Sequence, residues 1–387
     1  MDGTDRSKQY DVLDLIRALA AGLVCLGHVR ALVIVDYAAS GPHGGAAGVA
    51  LQLFYALCSV GHECVIVFFL LSGYLVGGTV RRKMTRGDWS WRSYLADRMT
   101  RLWIVLLPAL LLGLFWDSTG IHLAWGPFYQ GTEGNAAQQI DISHNLGAAA
   151  LFCNAAFLQT LACQTYGSNG PLWSLANEFW YYLWFPALYG AWHLRRTPQV
   201  LLCAVAALVT MSLFHGLVEG FSFWLLGVLA QALEARLTQI ATIARLARRK
   251  WLVLPALLVF LAAIALTKHK PYADAAVALG FFVLLLAVLS TRIRIGHAGL
   301  SRLATLASGF SYSLYLTHFP LALFVAAALV KVRLPVSAGS LGLATLILLG
   351  CYAYAFAVYW VFERNTQRVR GLLGRPALPG AQRGQNI

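Results

Sequence analysis

The chain has 387 residues, 59% of them apolar and only 12% charged, with a mean hydropathy of +0.64. Soluble globular domains are roughly 45–50% apolar and about a quarter charged. A soluble domain, a coiled coil and a disordered regulator are therefore excluded, and a polytopic membrane protein remains. The formal charge of +14, from 30 Lys and Arg against 16 Asp and Glu, would suggest nucleic acid on a soluble chain; here its meaning depends on where the basic residues fall.

Crossing about 30 Å of hydrocarbon takes roughly 20 helical residues. Apolar runs of that order occur at 12–36, 64–80, 102–116, 172–192, 200–215, 219–235, 251–267, 274–291, 309–330 and 340–363. They are rich in Leu, Ala, Val, Phe and Trp without polar alternation, which suits helices and not barrel strands. The expected fold is all-α, a polytopic membrane helix bundle of about ten transmembrane helices with both termini cytoplasmic. Residues 1–363 would form the membrane-embedded domain. Residues 364–387, with Arg364, Arg368, Arg370, Arg375, Arg383, Pro376 and Pro379, would form a disordered basic tail.

With the N-terminus inside, the inner segments hold 24 of the 30 Lys and Arg. The outer side has Arg30, Lys268, Lys270, Lys331 and Arg333, and Arg17 sits within the first span. Segment 117–171, the largest piece outside the membrane, has neither Lys nor Arg. This asymmetry follows the positive-inside rule, so the net charge reports topology and attraction to anionic inner-leaflet lipid, not nucleic acid. The first helix carries Asp2, Asp5, Arg6, Lys8 and Asp11 before its apolar run, and no small-residue cleavage site follows, so it is read as uncleaved. Of seven Cys, Cys25, Cys203 and Cys351 fall within spans as small core residues. Cys153 and Cys163 share the outer segment, where an oxidising periplasm permits a disulfide. The stretch 145–163 reads as a short apolar helix over the outer face. No metal site is expected.

Charged groups near a bilayer centre cost at least about 2.5–3.5 kcal/mol, so intramembrane polar residues carry the most information. In the first span Arg17 and His28 are eleven residues apart, on one helix face and about 16 Å apart along the axis. Asp14 is placed to pair with Arg17. A snorkelling Arg with a structural His is one reading; a reaction axis is the other, because neutral imidazole suits proton removal from a hydroxyl near neutral pH. Arg98 and Arg101 precede the third span, either as ordinary inner-face charge or as a bidentate phosphate clamp. The run Asn169-Gly-Pro-Leu-Trp173-Ser-Leu-Ala-Asn-Glu178-Phe-Trp-Tyr181-Tyr182 enters the fourth span from outside. It puts Glu178 roughly 9–10 Å deep, where a carboxylate needs a partner or a watery cavity. Trp173, Trp180, Tyr181 and Tyr182 suit either an interfacial belt or a sugar-packing surface, and Trp125, Phe128 and Tyr129 also suit carbohydrate. In Ser311-Tyr312-Ser-Leu-Tyr315-Leu-Thr-His318-Phe-Pro320, Pro320 removes a helical hydrogen bond and frees a carbonyl. His318 is either a satisfied core histidine or a reactant.

Together these stretches resemble the acyltransferase-3 family of integral-membrane O-acyltransferases. The similarity lies in Asp14-Leu-Ile-Arg17 running to His28, Phe68-Phe69-Leu-Leu-Ser72-Gly73-Tyr74-Leu75, Arg98-Met-Thr-Arg101 with Pro108, Pro171-Leu-Trp173-Ser174-Leu-Ala-Asn-Glu178 with Tyr181, and Ser311 to Pro320. The five motifs occur in the family's order across nearly the whole chain. Leu15, Ile66 and the closing Glu363-Arg364-Asn365 depart from its pattern.

The resemblance implies a bacterial inner-membrane enzyme that moves an acyl group, usually acetyl, from cytoplasmic acetyl-CoA to a hydroxyl of a glycan or glycolipid, near glycan-synthesis machinery. The residues themselves independently suggest His28 as general base on the acceptor hydroxyl, with Glu178 orienting that imidazole or the acceptor. Arg17, Arg98, Arg101 and His318 would hold the donor. Ser72, Trp173, Tyr181 and Tyr312 would contact substrate, with Ser72 and Tyr312 as oxyanion or acceptor contacts. The competing expectation is a transporter or flippase for a lipid-linked glycan, using the buried Arg, Glu and His as a proton relay. No inverted repeat of broken helices supports it.

Overall fold

The computed structural model describes residues 3–372, except 42–43, 124–125, 133–139, 195–196, 238–249, 292, 294 and 331. The fold is an all-α bundle. Every expected span has a helix: α1 (Gly3–Val33), α3 (Gly61–Ser72) continued through a π turn (Gly73–Gly77) into α4 (Gly78–Thr85), α5 (Trp91–His122), α7 (Leu172–His193), α8 (Pro198–Leu213), α9 (Val218–Leu237), α10 (Val253–Thr267), α11 (Ala273–Thr291), α13 (Ser311–Leu329) and α14 (Ala338–Val361). Among the described residues, eight helical segments are long and apolar enough to cross a membrane. The other two are α7, less apolar because it carries Asn177 and Glu178, and α8, which has 16 residues.

Among the described residues, three further helices of seven residues or more were not expected as such. Helix α2 (Gly45–Cys58) lies between the first two spans, and α12 (Ala298–Gly309) packs against α1. Helix α15 (Thr366–Leu372) occupies part of the segment expected to be disordered. That expectation is corrected for residues 364–372: Arg370 pairs with Asp97 at 2.5 Å and Arg364 lies over the Trp360 ring at 3.4 Å. Residues 373–387, with Arg375 and Arg383, lie outside the described residues.

Helix α13 is the axis of the bundle, packed on α1, α5 and α14. It contributes Leu316, His318, Phe319, Ala322 and Leu323 at 1% exposure or less. The Ser72-Gly73 motif has a steric reason. A Cβ on Gly73 would sit 1.8 Å from the Trp224 carbonyl oxygen, and one on Gly227 would sit 2.0 Å from that of Leu70. The π turn and α9 therefore meet backbone to backbone, which only glycine allows.

Prolines inside helices leave carbonyls that neighbours claim. Pro320 cannot bond the Leu316 oxygen, which accepts from Asn169 Nδ2 at 2.7 Å. Pro186 likewise frees the Tyr182 oxygen, which accepts from the Tyr94 hydroxyl at 3.1 Å. The loop before α7 is fixed further by buried Asp117 of α5, which accepts from Ser168 N and Oγ, both at 2.8 Å. In the segment read as one apolar helix over 145–163, only α6 (Ala148–Ala155) is α-helical. The rest turns back so that Cys153 and Cys163 form a disulfide.

Candidate active site

Helices α1, α3, α5, α7 and α13 surround a cavity of about 850 Å³, the open space at its mouth included. Its wall joins residues from all five sequence motifs: Arg17, Ser72, Arg98, Arg101, Glu178 and Tyr312. The three arginines have different surroundings. Arg17, 9% exposed, donates to Ser308 Oγ at 3.2 Å and stands 3.9 Å from Asp14, which accepts from the same hydroxyl at 2.9 Å. Arg101 pairs with Glu363 at 2.9 Å and lies over the Tyr312 ring at 5.4 Å. Arg98 lies over the Tyr182 ring at 5.9 Å, its Nε buried with no hydrogen-bond partner among the described residues. Arg98 is thus the cavity cation with no carboxylate shown against it.

Glu178 accepts from the Tyr182 hydroxyl at 2.5 Å, Tyr182 is 3.3 Å from Ser72 Oγ, and Ser72 accepts from Trp224 Nε1 at 3.1 Å. Indole nitrogen only donates and carboxylate only accepts. The chain therefore runs one way, from Trp224 through Ser72 and Tyr182 to Glu178. The Ser72 proton is committed to Tyr182, and the Tyr312 hydroxyl donates to the Leu102 oxygen at 3.0 Å. Ser72 and Tyr312, expected as oxyanion or acceptor contacts, both lie on the wall with their hydroxyls hydrogen-bonded within the protein. At the far end the Tyr315 hydroxyl lies 2.7 Å from Ser174 Oγ, and the Phe68 ring packs edge-on against Tyr315 at 6.0 Å.

His28 and His318 are not on this wall. They bond to each other, His28 Nδ1 to His318 Nε2 at 2.9 Å, and His318 Nδ1 lies 2.8 Å from the Leu314 oxygen. The Tyr315 ring, which does line the cavity, is centred 6.4 Å from that of His318. The expected partner of His28, Glu178, is instead bonded within the cavity to Tyr182, and His318 bonds the imidazole and not the donor region. Tyr181, expected to contact substrate, is not on the cavity wall. It is fully buried, its hydroxyl donates to the Leu217 oxygen at 3.0 Å, and Phe69, Trp184 and Phe221 surround it. Trp173 is half-buried beyond the cavity, between His62 and Phe69. Phe128 and Tyr129 are buried core residues and not a carbohydrate surface; Trp125 lies outside the described residues.

Sequence reasoning missed Glu363 as the counter-charge of Arg101. It is 2% exposed and also accepts from Ser313 N at 3.2 Å and Oγ at 2.6 Å. The available signal was a carboxylate at the end of the last span, directly before a run of arginines. Among the described residues no group of His, Cys, Asp or Glu is arranged to hold a metal ion.

The chain is thus a helical membrane bundle that encloses a basic cavity between its spans, with a histidine pair beside it. The comparison with protein families is specific: the model described as an acyltransferase domain, that of the acyltransferase-3 family, matches residues 10–363, and the chain belongs to that family of membrane acyltransferases. Searches of curated proteins and of solved structures each found no match.

Proposed function

We propose that this chain moves an acyl group, acetyl by default, from cytoplasmic acetyl-CoA to a hydroxyl of a glycan or glycolipid on the periplasmic side of a bacterial inner membrane. The observation that carries this reading is the meeting of Arg17, Arg98 and Arg101 in one cavity at the end of the bundle that the charge distribution assigns to the cytoplasm. Guanidinium groups in a partly dry site match the bidentate geometry of phosphate, and a basic cavity concentrates anions at its mouth. Helix α1 then leads from Arg17 to His28, about 16 Å further along the axis, a distance the donor's flexible arm is suited to cover.

In the proposed reaction His28 takes the proton of the acceptor hydroxyl. The alcohol oxygen attacks the thioester carbon, the carbon–sulfur bond breaks, and the proton passes from the imidazolium to the departing thiolate. Overall, thioester and alcohol become ester and thiol, with no net proton change. Tyr315 lines the cavity and its ring is centred 6.4 Å from that of His318, so the thioester arm would pass it on the way to the histidines. Acceptor glycans and the enzymes that assemble them are the expected partners.

The test uses purified full-length protein in lipid nanodiscs with labelled acetyl-CoA and bacterial membrane glycan. The wild type is expected to transfer label, and His28→Ala of equal folded yield to lose about 10²–10⁴-fold of the rate. Equal labelling by both would remove His28 from the chemistry, and no labelling by wild type with any glycan fraction would overturn the acceptor class.

A further inference from the structure

We infer that His318 is a positioning residue, fixing the tautomer of His28 so that Nε2 presents a lone pair to the acceptor hydroxyl. This rests on the acyl-transfer reading above and adds a role for the second histidine. The starting point is one carbonyl. The Leu314 oxygen can only accept, so His318 Nδ1, 2.8 Å away, carries a hydrogen. A neutral imidazole has one N–H, so His318 Nε2 is an acceptor. His28 Nδ1, 2.9 Å from it, must then donate. The proton of neutral His28 is thereby placed on Nδ1, and the free lone pair falls on Nε2, which no described residue hydrogen-bonds.

Ring geometry supports a directional bond. The ring centroids are 5.2 Å apart and the planes differ by 11°. A 2.9 Å nitrogen–nitrogen contact extended by the centre-to-nitrogen distance of each ring reproduces that separation only when the rings lie edge to edge in nearly one plane. This points the His318 lone pair along the His28 N–H. His318 has little freedom to turn: it is fully buried, and the Phe319 ring stands edge-on to it at 6.3 Å. A histidine oriented by the acceptor on its other nitrogen is the general arrangement for a tautomer-specific base. Here the orienting group is a neutral ring anchored to backbone rather than a carboxylate.

The experiment measures kcat and KM for acetyl-CoA in His318→Ala, His318→Gln, His28→Ala and the His28→Ala/His318→Ala double variant. It also records nitrogen NMR spectra of histidine-labelled wild type in nanodiscs, assigned with His28→Gln and His318→Gln. In His318→Gln the new side-chain amide oxygen falls near the position of the lost Nε2 and can still accept. We expect His318→Ala to lose about 10–100-fold in kcat, the range for groups that orient a reacting histidine, with KM for acetyl-CoA unchanged. His318→Gln should recover most of the rate, and the double variant should be no slower than His28→Ala. In wild type the spectrum should show a protonated Nδ1 and an unprotonated Nε2 on His28. A raised KM with unchanged kcat, an extra loss of about tenfold in the double variant, or a protonated Nε2 on His28 would overturn the proposal. Failure of the acyl-transfer reading is separate: wild type would then transfer no label to any acceptor, while its spectrum would still decide the tautomer.

Discussion

The two arginines of the Arg98-Met-Thr-Arg101 segment look equivalent in sequence, yet they should respond to substitution with different effects on stability. Arg101→Gln removes the partner of Glu363, whose side chain is 1% exposed. Breaking a buried ion pair from one side leaves an uncompensated charge and costs about 3–5 kcal/mol. Arg98→Gln removes a cation that, among the described residues, has no carboxylate shown against it and whose buried Nε has no hydrogen-bond partner. Its loss gives up a contact with the Tyr182 ring, about 0.5–1 kcal/mol, and relieves an unsatisfied donor whose burial costs about 1–3 kcal/mol. The net change for Arg98→Gln should therefore lie between about zero and about 2.5 kcal/mol of stabilisation. For the donor the two should behave alike, because each loses charge-assisted hydrogen bonds of about 1.5–3 kcal/mol, roughly tenfold to a hundredfold in affinity. Equilibrium unfolding in micelles gives the first quantity and calorimetric titration of acetyl-CoA into nanodiscs the second. Equal unfolding midpoints for the two variants, or a larger loss for Arg98→Gln, would refute the assignment of Glu363 to Arg101.

Three further outcomes are expected. Gly73→Ala should fail to reach the native packing of α3 on α9, seen as a collapse of folded yield on size exclusion, because the new Cβ would lie 1.8 Å from the Trp224 oxygen and backbone cannot give way cheaply. Asn169→Leu should cost about 1–3 kcal/mol in unfolding measurements, since the Leu316 oxygen then has no donor. Asp36, just outside the first span, is pushed up by burial, but hydrogen bonds from Arg333 and Arg30 outweigh this and hold its carboxyl below the usual range. A carboxyl lowered on folding contributes fully above the unfolded value of about 3.9 and loses that contribution as pH falls toward the folded value. The unfolding midpoint should therefore drop less between about pH 5 and about pH 3 in Asp36→Asn than in wild type.

The positions of the spans were legible because an apolar run reports its own length, and each of the ten runs has its helix. The cavity was partly legible: Arg17, Ser72, Arg98, Arg101, Glu178 and Tyr312 are expensive or unusual where they stand, and they meet. What could not be read is which partner each one takes. His28 and His318 are 290 residues apart, and Ser313 and Glu363 are 50 apart. Such pairings depend on how helices rotate against one another, which no local periodicity records. Glu178 is expected from sequence to orient His28 or the acceptor, whereas Tyr182, one helical turn along the same face, supplies its hydrogen bond. Helix α12 went unseen because its short run is broken by Arg302 and flanked by polar residues.

The carbonyls released by Pro320 and Pro186 have a consequence for assembly. Between spanning helices greasy contact distinguishes poorly among rotational settings, since lipid tails are as apolar as the side chains they replace. A single oxygen that must find a donor is far more selective: turning α13 by one residue would swing the Leu316 oxygen away from Asn169, and a similar turn of α7 would take the Tyr182 oxygen from Tyr94. These two prolines thus act as alignment pins, setting the rotation of the helices that carry Glu178 and His318 before any substrate arrives.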